Sequence, residues 1–174
     1  MPVLQTARLV LRDFTLADAA FILALLNEPA FHQFIGDKGV RDLAGAEKYL
    51  RDGPLASYAR HGFGLWCVTR KDGTPIGSCG LLQRDFLEHP DLGYALLAAH
   101  TRRGYAHEAA VAVLQHARLA LKLGPLLAIT APENPASIRL LGKLGFAFDR
   151  MDNFPGFAGP SRVFRAPAGA VAGP

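Results

Sequence analysis

The stretch that most constrains the fold of this chain is 91–123, in which a short apolar strand, a basic turn and a long amphipathic helix follow one another. In the helical part, small and aliphatic residues recur at a spacing that places them on one face, so that face is predicted to be buried. The turn before the helix contains Arg102, Arg103, Gly104 and Tyr105. Unpaired N–H groups and the positive end of the helix dipole would lie beside two guanidinium groups there. The combination predicts a binding site for an anion such as phosphate.

A second segment makes this prediction more specific. Taken alone, a strand, a glycine turn and a helix can mean no more than a connection between two elements, because a single glycine is a weak signal. The stretch 126–130 is predicted to form a buried strand, and a helix should follow it. Asn134 can cap that helix, Pro135 suits its first turn, and Gly145 suits its end.

Together, the two segments resemble the GNAT superfamily of acyl-coenzyme A N-acyltransferases, in particular its branch of Rim-type ribosomal-protein N-terminal acetyltransferases. The segment HTRRGYAHEA is similar to the family's pyrophosphate loop. Gly104 and Ala106 fill two places of the loop's pattern, while Thr101 stands where Arg or Gln is usual. The segment NPASIRLLGKLGF matches the Asn-x-x-Ser helix and the terminal Gly-Phe of the Rim-type branch. The resemblance covers roughly residues 4–166.

The resemblance implies a fold and a way of binding acetyl-coenzyme A. The fold would be α+β (α/β), with a mixed, mostly antiparallel central sheet of about six to seven strands that is splayed between the fourth and fifth strands, and with helices flanking the sheet. The pantetheine arm would lie in the splay and pair with backbone as an added strand does. The expected coenzyme-binding residues are Leu96, Leu97, Arg102, Arg103, Gly104, Tyr105, Ala106, His107, Asn134 and Ser137.

The same resemblance indicates which groups would do the chemistry. Many relatives protonate the departing thiolate with a tyrosine at a place that Leu141 occupies here. Ser137, on the first turn of that helix, is the Rim-type substitute, although a serine there can also serve only the helix start. The backbone N–H of Leu97 or its neighbour would stabilise the oxyanion. Asp91 would bind the amine or act through water, because an unperturbed carboxylate is a poor base for an ammonium group.

The acceptor is expected to be a primary amine. Phe31 and Phe34, with Asp91, would wall its pocket, although the two rings can also be a hydrophobic plug beneath a loop. An α-amino group, with a pKa of about 8, needs less help than a lysine. The expected reaction is therefore acetyl transfer by direct attack in a ternary complex, with a protein N-terminus as first acceptor and a small-molecule amine close behind. The alternative is a catalytically idle coenzyme A-binding sensor or interaction module, because the usual tyrosine is replaced by Leu141.

Two further patterns near the predicted site concern structure. Glu108 would lie in the first turn of the long helix, where a carboxylate suits the helix dipole, so it is predicted to be structural. Cys67 and Cys79 flank a turn at Asp72-Gly73. A two-residue turn would place Cys67 opposite Ser78, whereas a turn one residue longer would bring the cysteines face to face as a redox pair. No metal site is expected.

Charge and composition limit the remaining classes of function. The chain has 19 Lys and Arg against 15 Asp and Glu, a net charge of +4, and no basic run longer than two residues. This spread favours a polyanionic ligand over nucleic acid. Charges interrupt the N-terminal apolar segment, and nowhere do about eighteen apolar residues run together, so a cytoplasmic protein without a membrane partner is expected. One domain is predicted over residues 1–166, followed by a flexible tail at 167–174. A homodimer is possible.

Local patterns predict the other elements. The first strand should span Ala7–Asp13, and a helix capped by Thr15 should end before Pro29. A loop is expected at 30–39, and two short helices should be separated at Gly53-Pro54. A hairpin and a closing antiparallel pair complete the sheet.

Overall fold

The computed structural model describes residues 2–167, and an eight-stranded sheet runs through them. The strands are β1 (Pro2–Gln5), β2 (Leu9–Arg12), β3 (Leu65–Arg70), β4 (Pro75–Leu82), β5 (Asp91–Leu96), β6 (Leu127–Thr130), β7 (Ala147–Asp152) and β8 (Ser161–Arg165). Their order in the sheet is β1-β2-β3-β4-β5-β6-β8-β7. Within residues 2–167, β5 and β6 are parallel and the other neighbours are antiparallel.

The predicted α+β fold is confirmed, with a mixed, mostly antiparallel sheet flanked by helices. The predicted count of strands was too low, because β1 is too short to show an alternating pattern and it includes a proline. Residues 168–174, most of the predicted tail, lie outside the described residues.

Helices cover both faces of the sheet. They are α1 (Ala19–Leu26), α2 (Pro29–Phe34), α3 (Leu43–Leu50), α4 (Ala56–His61), α5 (Tyr105–Leu119) and α6 (Pro135–Lys143). The first helix ends before Pro29, as predicted, because α1 stops at Leu26. The predicted loop at 30–39 was partly wrong, because Pro29 also begins a further helix, α2, in whose first turn its missing N–H costs no hydrogen bond. The break expected at Gly53-Pro54 is a π-helical turn, Arg51–Leu55, which joins α3 to α4. No helix within residues 2–167 combines the length and apolar character that a membrane span requires.

The sheet separates two apolar clusters, and the cysteines show this directly. Cys67 pairs with Ser78 and Trp66 with Cys79, as a two-residue turn at Asp72-Gly73 would have it. The turn itself is one residue longer than predicted, because the Arg70 N–H donates to the Thr74 carbonyl at 2.9 Å, and a register shift after Val68 offsets the extra residue. Cys67 therefore packs in the cluster beneath α1 and α3, while Cys79 packs in the cluster beneath α5 and α6. Both thiols are free, and burial raises the pKa of each to about 12. The redox-pair alternative is therefore wrong.

The sheet is nearly divided between β5 and β6. These strands share a single register pair, Asp91 with Leu127, and the Leu127 N–H donates to the Pro90 carbonyl at 2.9 Å. By contrast, β4 and β5 stay paired from Asp91 to Leu96. The predicted splay is thus present. Because β1 was not predicted, the strands predicted as fourth and fifth are β5 and β6 in the structure. Beyond Leu127 the two strands diverge and leave backbone groups unpaired.

Candidate active site

A cavity of about 1280 Å³ passes through this gap. One end is lined by the turn before α5 and the first turn of α6, and the other by α1, α2 and α3. Side chains of β5 alternate between the two faces, so Tyr94 points toward α6 while Asp91 points toward the opposite helices. The cavity exceeds a typical drug-sized pocket and suits a long ligand that reaches through the sheet.

The direction of the β5 amides decides which of them could hold an oxyanion. The Leu97 N–H donates to the Ile76 carbonyl at 2.9 Å, so it belongs to the pairing with β4. Amides alternate along an antiparallel strand, and those of Tyr94 and Leu96 consequently point into the gap. The Leu96 N–H therefore faces the gap, whereas the Leu97 N–H does not.

The turn before α5 presents backbone amides at one end of the cavity. Arg102 and Gly104 both adopt positive φ angles, 60° and 77°, which curl the chain so that α5 begins at Tyr105. The first amides of a helix have no partner within it. Ala106 and His107, which supply two of these amides, line the cavity together with Arg102. Arg103 is exposed beside them but does not line the cavity.

A network that the sequence did not reveal supports this turn. Glu108 accepts hydrogen bonds from the Thr6 hydroxyl at 2.6 Å, the Arg8 N–H at 2.9 Å and the Arg8 Nε at 2.6 Å. Arg8 also donates to the Arg103 carbonyl at 3.0 Å and lies over the Tyr105 ring, with Cζ 4.6 Å from its centre. Arg8 thus brings a third guanidinium group, paired with Glu108, to the turn before α5. A separation of about a hundred residues hides such a contact from any local pattern.

We expect Glu108→Gln to lower the free energy of unfolding at pH 7 by about 1–2 kcal/mol, because it weakens charge-assisted hydrogen bonds. Burial opposes ionisation of Glu108, but the bonds from Thr6 and Arg8 outweigh it and lower the pKa. A carboxyl with a lowered folded pKa stabilises the protein at neutral pH and loses that contribution as pH falls through the folded value. Urea unfolding should therefore show a smaller difference between the variant and the wild type at pH 4 than at pH 7. The exposed Glu133, changed to Gln, serves as control, and a pH-independent difference would contradict the expected role of the Glu108 charge.

At the gap, α6 brings Ser137 against Tyr94. Asn134 caps the helix by accepting the Ser137 N–H at Oδ1, 3.1 Å away, and Pro135 occupies the first turn, as expected. The Ser137 hydroxyl lies 2.6 Å from the Tyr94 hydroxyl. Burial raises the pKa of Tyr94 to about 12, so this phenol stays protonated at physiological pH. The pair forms a chain of two hydroxyl groups at the edge of the cavity.

The place where many relatives carry a tyrosine points elsewhere in this chain. Leu141 is 1% exposed and packs in the cluster beneath α5, and it does not line the cavity. Tyr94 approaches from β5 instead and supplies a phenol to the gap. The segment around Tyr94 alone could not reveal this, because its partner Ser137 lies on α6, which α5 and β6 separate from β5.

The opposite end of the cavity combines aromatic rings with two cations, Arg84 and Lys38, and one carboxylate, Asp91. Phe31 is buried there and Phe34 is half-buried. Asp91 is 2% exposed and accepts from the Arg84 Nε at 2.9 Å. Burial raises the pKa of Asp91, and the Arg84 charge offsets part of that effect. Arg84, which the sequence analysis did not identify, thus forms an ion pair with Asp91, the carboxylate that was expected to bind the amine. Within residues 2–167, no group of three His, Cys, Asp or Glu could hold a metal ion.

The open gap and the unpaired amides at the start of α5 suit a long phosphate-bearing ligand that reaches through the sheet, which is what an acyl-coenzyme A acyltransferase requires. Within that class, the chain belongs to the GNAT acetyltransferase family, because the model of an acetyltransferase (GNAT) domain matches residues 8–147. Members of this family use acetyl-coenzyme A as co-substrate.

Individual proteins agree with this family. The uncharacterized N-acetyltransferase YoaA of Bacillus subtilis (strain 168) is 30% identical over 150 residues, which cover 83% of this chain and 82% of that protein. An acetyltransferase from Agrobacterium tumefaciens has a crystal structure with a TM-score of 0.78 and 28% identity, covering 95% of this chain and 94% of that one. The ribosomal-protein-S5-alanine acetyltransferase of Vibrio fischeri, at 17% identity, shares the fold with a TM-score of 0.73 over 97% of both chains. The chain is thus a GNAT-type N-acetyltransferase.

Proposed function

We propose that this chain transfers the acetyl group of acetyl-coenzyme A to a primary amine by direct attack in a ternary complex. The observation that carries the proposal is the single register pair between β5 and β6, which leaves unpaired backbone beside the amides of the α5 turn. We favour a protein N-terminal α-amino group as acceptor, in the manner of the Rim-type branch, with a small-molecule amine as the second choice. The Asn134–Ser137 helix start and the shared fold of a ribosomal-protein acetyltransferase support that branch.

The proposed chemistry uses groups on both sides of the gap. The neutral amine attacks the thioester carbonyl, and the Leu96 N–H would donate to the oxyanion that forms. As the carbon–sulfur bond breaks, the Ser137 hydroxyl would give its proton to the thiolate and take one from the Tyr94 hydroxyl, which solvent reprotonates. The amide nitrogen releases its extra proton to water. Asp91 is paired with Arg84, so a role in binding the acceptor suits it better than proton abstraction.

Thermal denaturation with acetyl-coenzyme A tests the binding step. A ligand present at about a hundred times its dissociation constant should stabilise the folded protein by about 2.7 kcal/mol and raise the melting temperature. Release of free thiol should follow when panels of peptides and small amines are added. A chain that shows no shift in melting temperature and no coenzyme uptake in calorimetry would overturn the proposal.

The idle coenzyme A-binding module makes a different prediction in the same assays. It would bind the coenzyme and release no thiol with any acceptor. Its support was the leucine in place of a tyrosine, but Leu141 lies in the core and the Tyr94–Ser137 pair offers a proton donor at the gap. We therefore favour the active enzyme. A cytoplasmic location belongs to the proposal, and the free thiols of Cys67 and Cys79 are compatible with a reducing compartment.

A further inference from the structure

The acceptor end of the cavity carries positive charge that the protein itself does not neutralise. We propose that the acceptor is a primary amine that also bears a carboxylate, and that Arg84 and Lys38 bind this carboxylate while the amine enters the gap between β5 and β6. The inference rests on the proposed function and names the class of amine. It favours an amino acid or an acidic N-terminal segment over a polyamine.

Arg84 is positioned to bind an anion. Its Nε donates a hydrogen bond to Asp91 Oδ1 at 2.9 Å, and the other two guanidinium nitrogens form no hydrogen bond within the described residues. The guanidinium carbon lies 5.7 Å from the centre of the Phe86 ring and 5.6 Å from that of Phe157, so two aromatic rings flank it. Arg84 itself lines the cavity. A guanidinium group held in this way can offer its outer edge to a carboxylate in a two-bond contact.

Lys38 adds a second cation at the same end. It lines the cavity and forms no ion pair within residues 2–167. Partial burial lowers the pKa of Lys38, and the nearby Arg84 charge lowers it further. Two cations close enough to influence each other create a local excess of positive potential, which an anionic ligand relieves.

The carboxylate that lines this end of the cavity and two carboxylates near Lys38 are already paired. Asp91 accepts from Arg84 and is almost wholly buried. Asp37, close in sequence to Lys38, is bonded to Arg41 and does not line the cavity. Asp52 lines the adjoining smaller cavity, of about 360 Å³, and pairs with Lys48. Within residues 2–167, the acceptor end therefore offers no unpaired carboxylate to a second ammonium group, which makes a polycation a poor fit.

Thiol release should be measured with matched pairs of acceptors that are similar in size and differ in their carboxylate charge. One pair is phenylalanine and phenylalaninamide, which tests a small molecule. The other is the tripeptides Ser-Asp-Glu and Ser-Asn-Gln with amidated C-termini, which tests an acidic N-terminal segment. Spermidine represents polycationic amines. We expect the carboxylate-bearing member of at least one pair to have a kcat/KM about tenfold higher than its neutral partner, and spermidine to be the poorest acceptor.

Two variants assign the preference to the named cations. Lys38→Gln should reduce the ratio of charged to neutral acceptor about threefold, since solvent still reaches this side chain and screens its charge. Arg84→Gln combined with Asp91→Asn removes both charges of the buried pair together, so that neither is left alone in the core, and it should abolish the ratio. Lys71→Gln, on the β3–β4 turn and away from the cavity, is the matched control and should leave the ratio unchanged.

The outcomes separate this inference from the function on which it rests. An enzyme that prefers the carboxylate-bearing member in neither pair, or that acetylates spermidine as fast as the better carboxylate-bearing acceptor, would overturn the acceptor class and leave the transferase intact. An unchanged ratio in both variants would overturn the assignment to Arg84 and Lys38. A chain that neither binds acetyl-coenzyme A nor releases thiol would overturn the transferase itself.

Discussion

Ser137→Ala should lower kcat about 100-fold, or about 2.7 kcal/mol in the barrier, while the dissociation constant for acetyl-coenzyme A changes little. Proton donation by a positioned group commonly contributes about 10²–10⁴-fold. We expect the lower end of this range. A thiol has a pKa of about 8.5, so the leaving thiolate is a stable anion that water can also protonate. Stopped-flow or steady-state assays of thiol release measure kcat, and calorimetry measures binding.

The contact with Tyr94 turns this expectation into a test of two residues that act together. Tyr94→Phe removes the hydroxyl that lies 2.6 Å from Ser137, and we expect kcat to fall about tenfold. If the two hydroxyls act in one chain, the double variant should be about as slow as Ser137→Ala alone, since the second change removes a group that no longer has a partner.

Ser57→Ala is the matched control for the serine. Its hydroxyl donates to the Phe63 carbonyl at 2.7 Å, away from the gap, so its loss should affect stability and not kcat. If Ser137→Ala keeps the wild-type kcat, this serine has no part in proton transfer and only stabilises the start of α6. Independent, additive losses in the two hydroxyl variants would separate Tyr94 from proton transfer.

Changing Arg102 and Arg103 together to alanine should raise the dissociation constant for acetyl-coenzyme A about 100-fold. Hydrogen bonds between a guanidinium group and a phosphate contribute about 1.5–3 kcal/mol each, so one or two such contacts account for this loss. Arg102 lines the cavity and Arg103 does not, so most of the loss should appear in the Arg102→Ala variant alone. Because the contacts are electrostatic and exposed, the difference from the wild type should shrink as salt is added.

A control of equal charge separates local contacts from the general field of the protein. Arg60→Ala with Lys71→Ala removes two positive charges outside the cavity, and coenzyme affinity should remain within about twofold of the wild type. Wild-type affinity in the Arg102 and Arg103 variant would remove these residues from the site. The amides of the α5 turn and Arg8 would then be left as the anion-binding groups.

Elements with strong local signals were predictable from the sequence. The apolar face of α5 and the Asn134 cap of α6 each depend on residues within one or two turns of chain, and the structure contains both. These two features follow from local geometry, which tertiary packing did not override. The turn at Asp72-Gly73 is one residue longer than predicted, and Cys67 still faces Ser78 because a register shift after Val68 offsets the extra residue.

The features that the sequence did not reveal depend on register or on distant contacts. The direction of the Leu97 amide is set by its pairing with Ile76, and a shift of one residue reverses it. Tyr94 and Ser137 meet across the gap, and Arg8 reaches Glu108 from the other end of the chain. Pro29 was ambiguous, because proline suits both the end of one helix and the start of the next.

The near-division of the sheet at Asp91 and Leu127 has a consequence for the enzyme cycle. Under the proposed function, the pantetheine arm supplies hydrogen-bonding partners that a ninth strand would otherwise supply, so the architecture is finished only while co-substrate is bound. Release of coenzyme A would then break several main-chain hydrogen bonds one after another. The turnover rate would accordingly depend on how easily β5 and β6 move apart, as well as on the acetyl transfer itself.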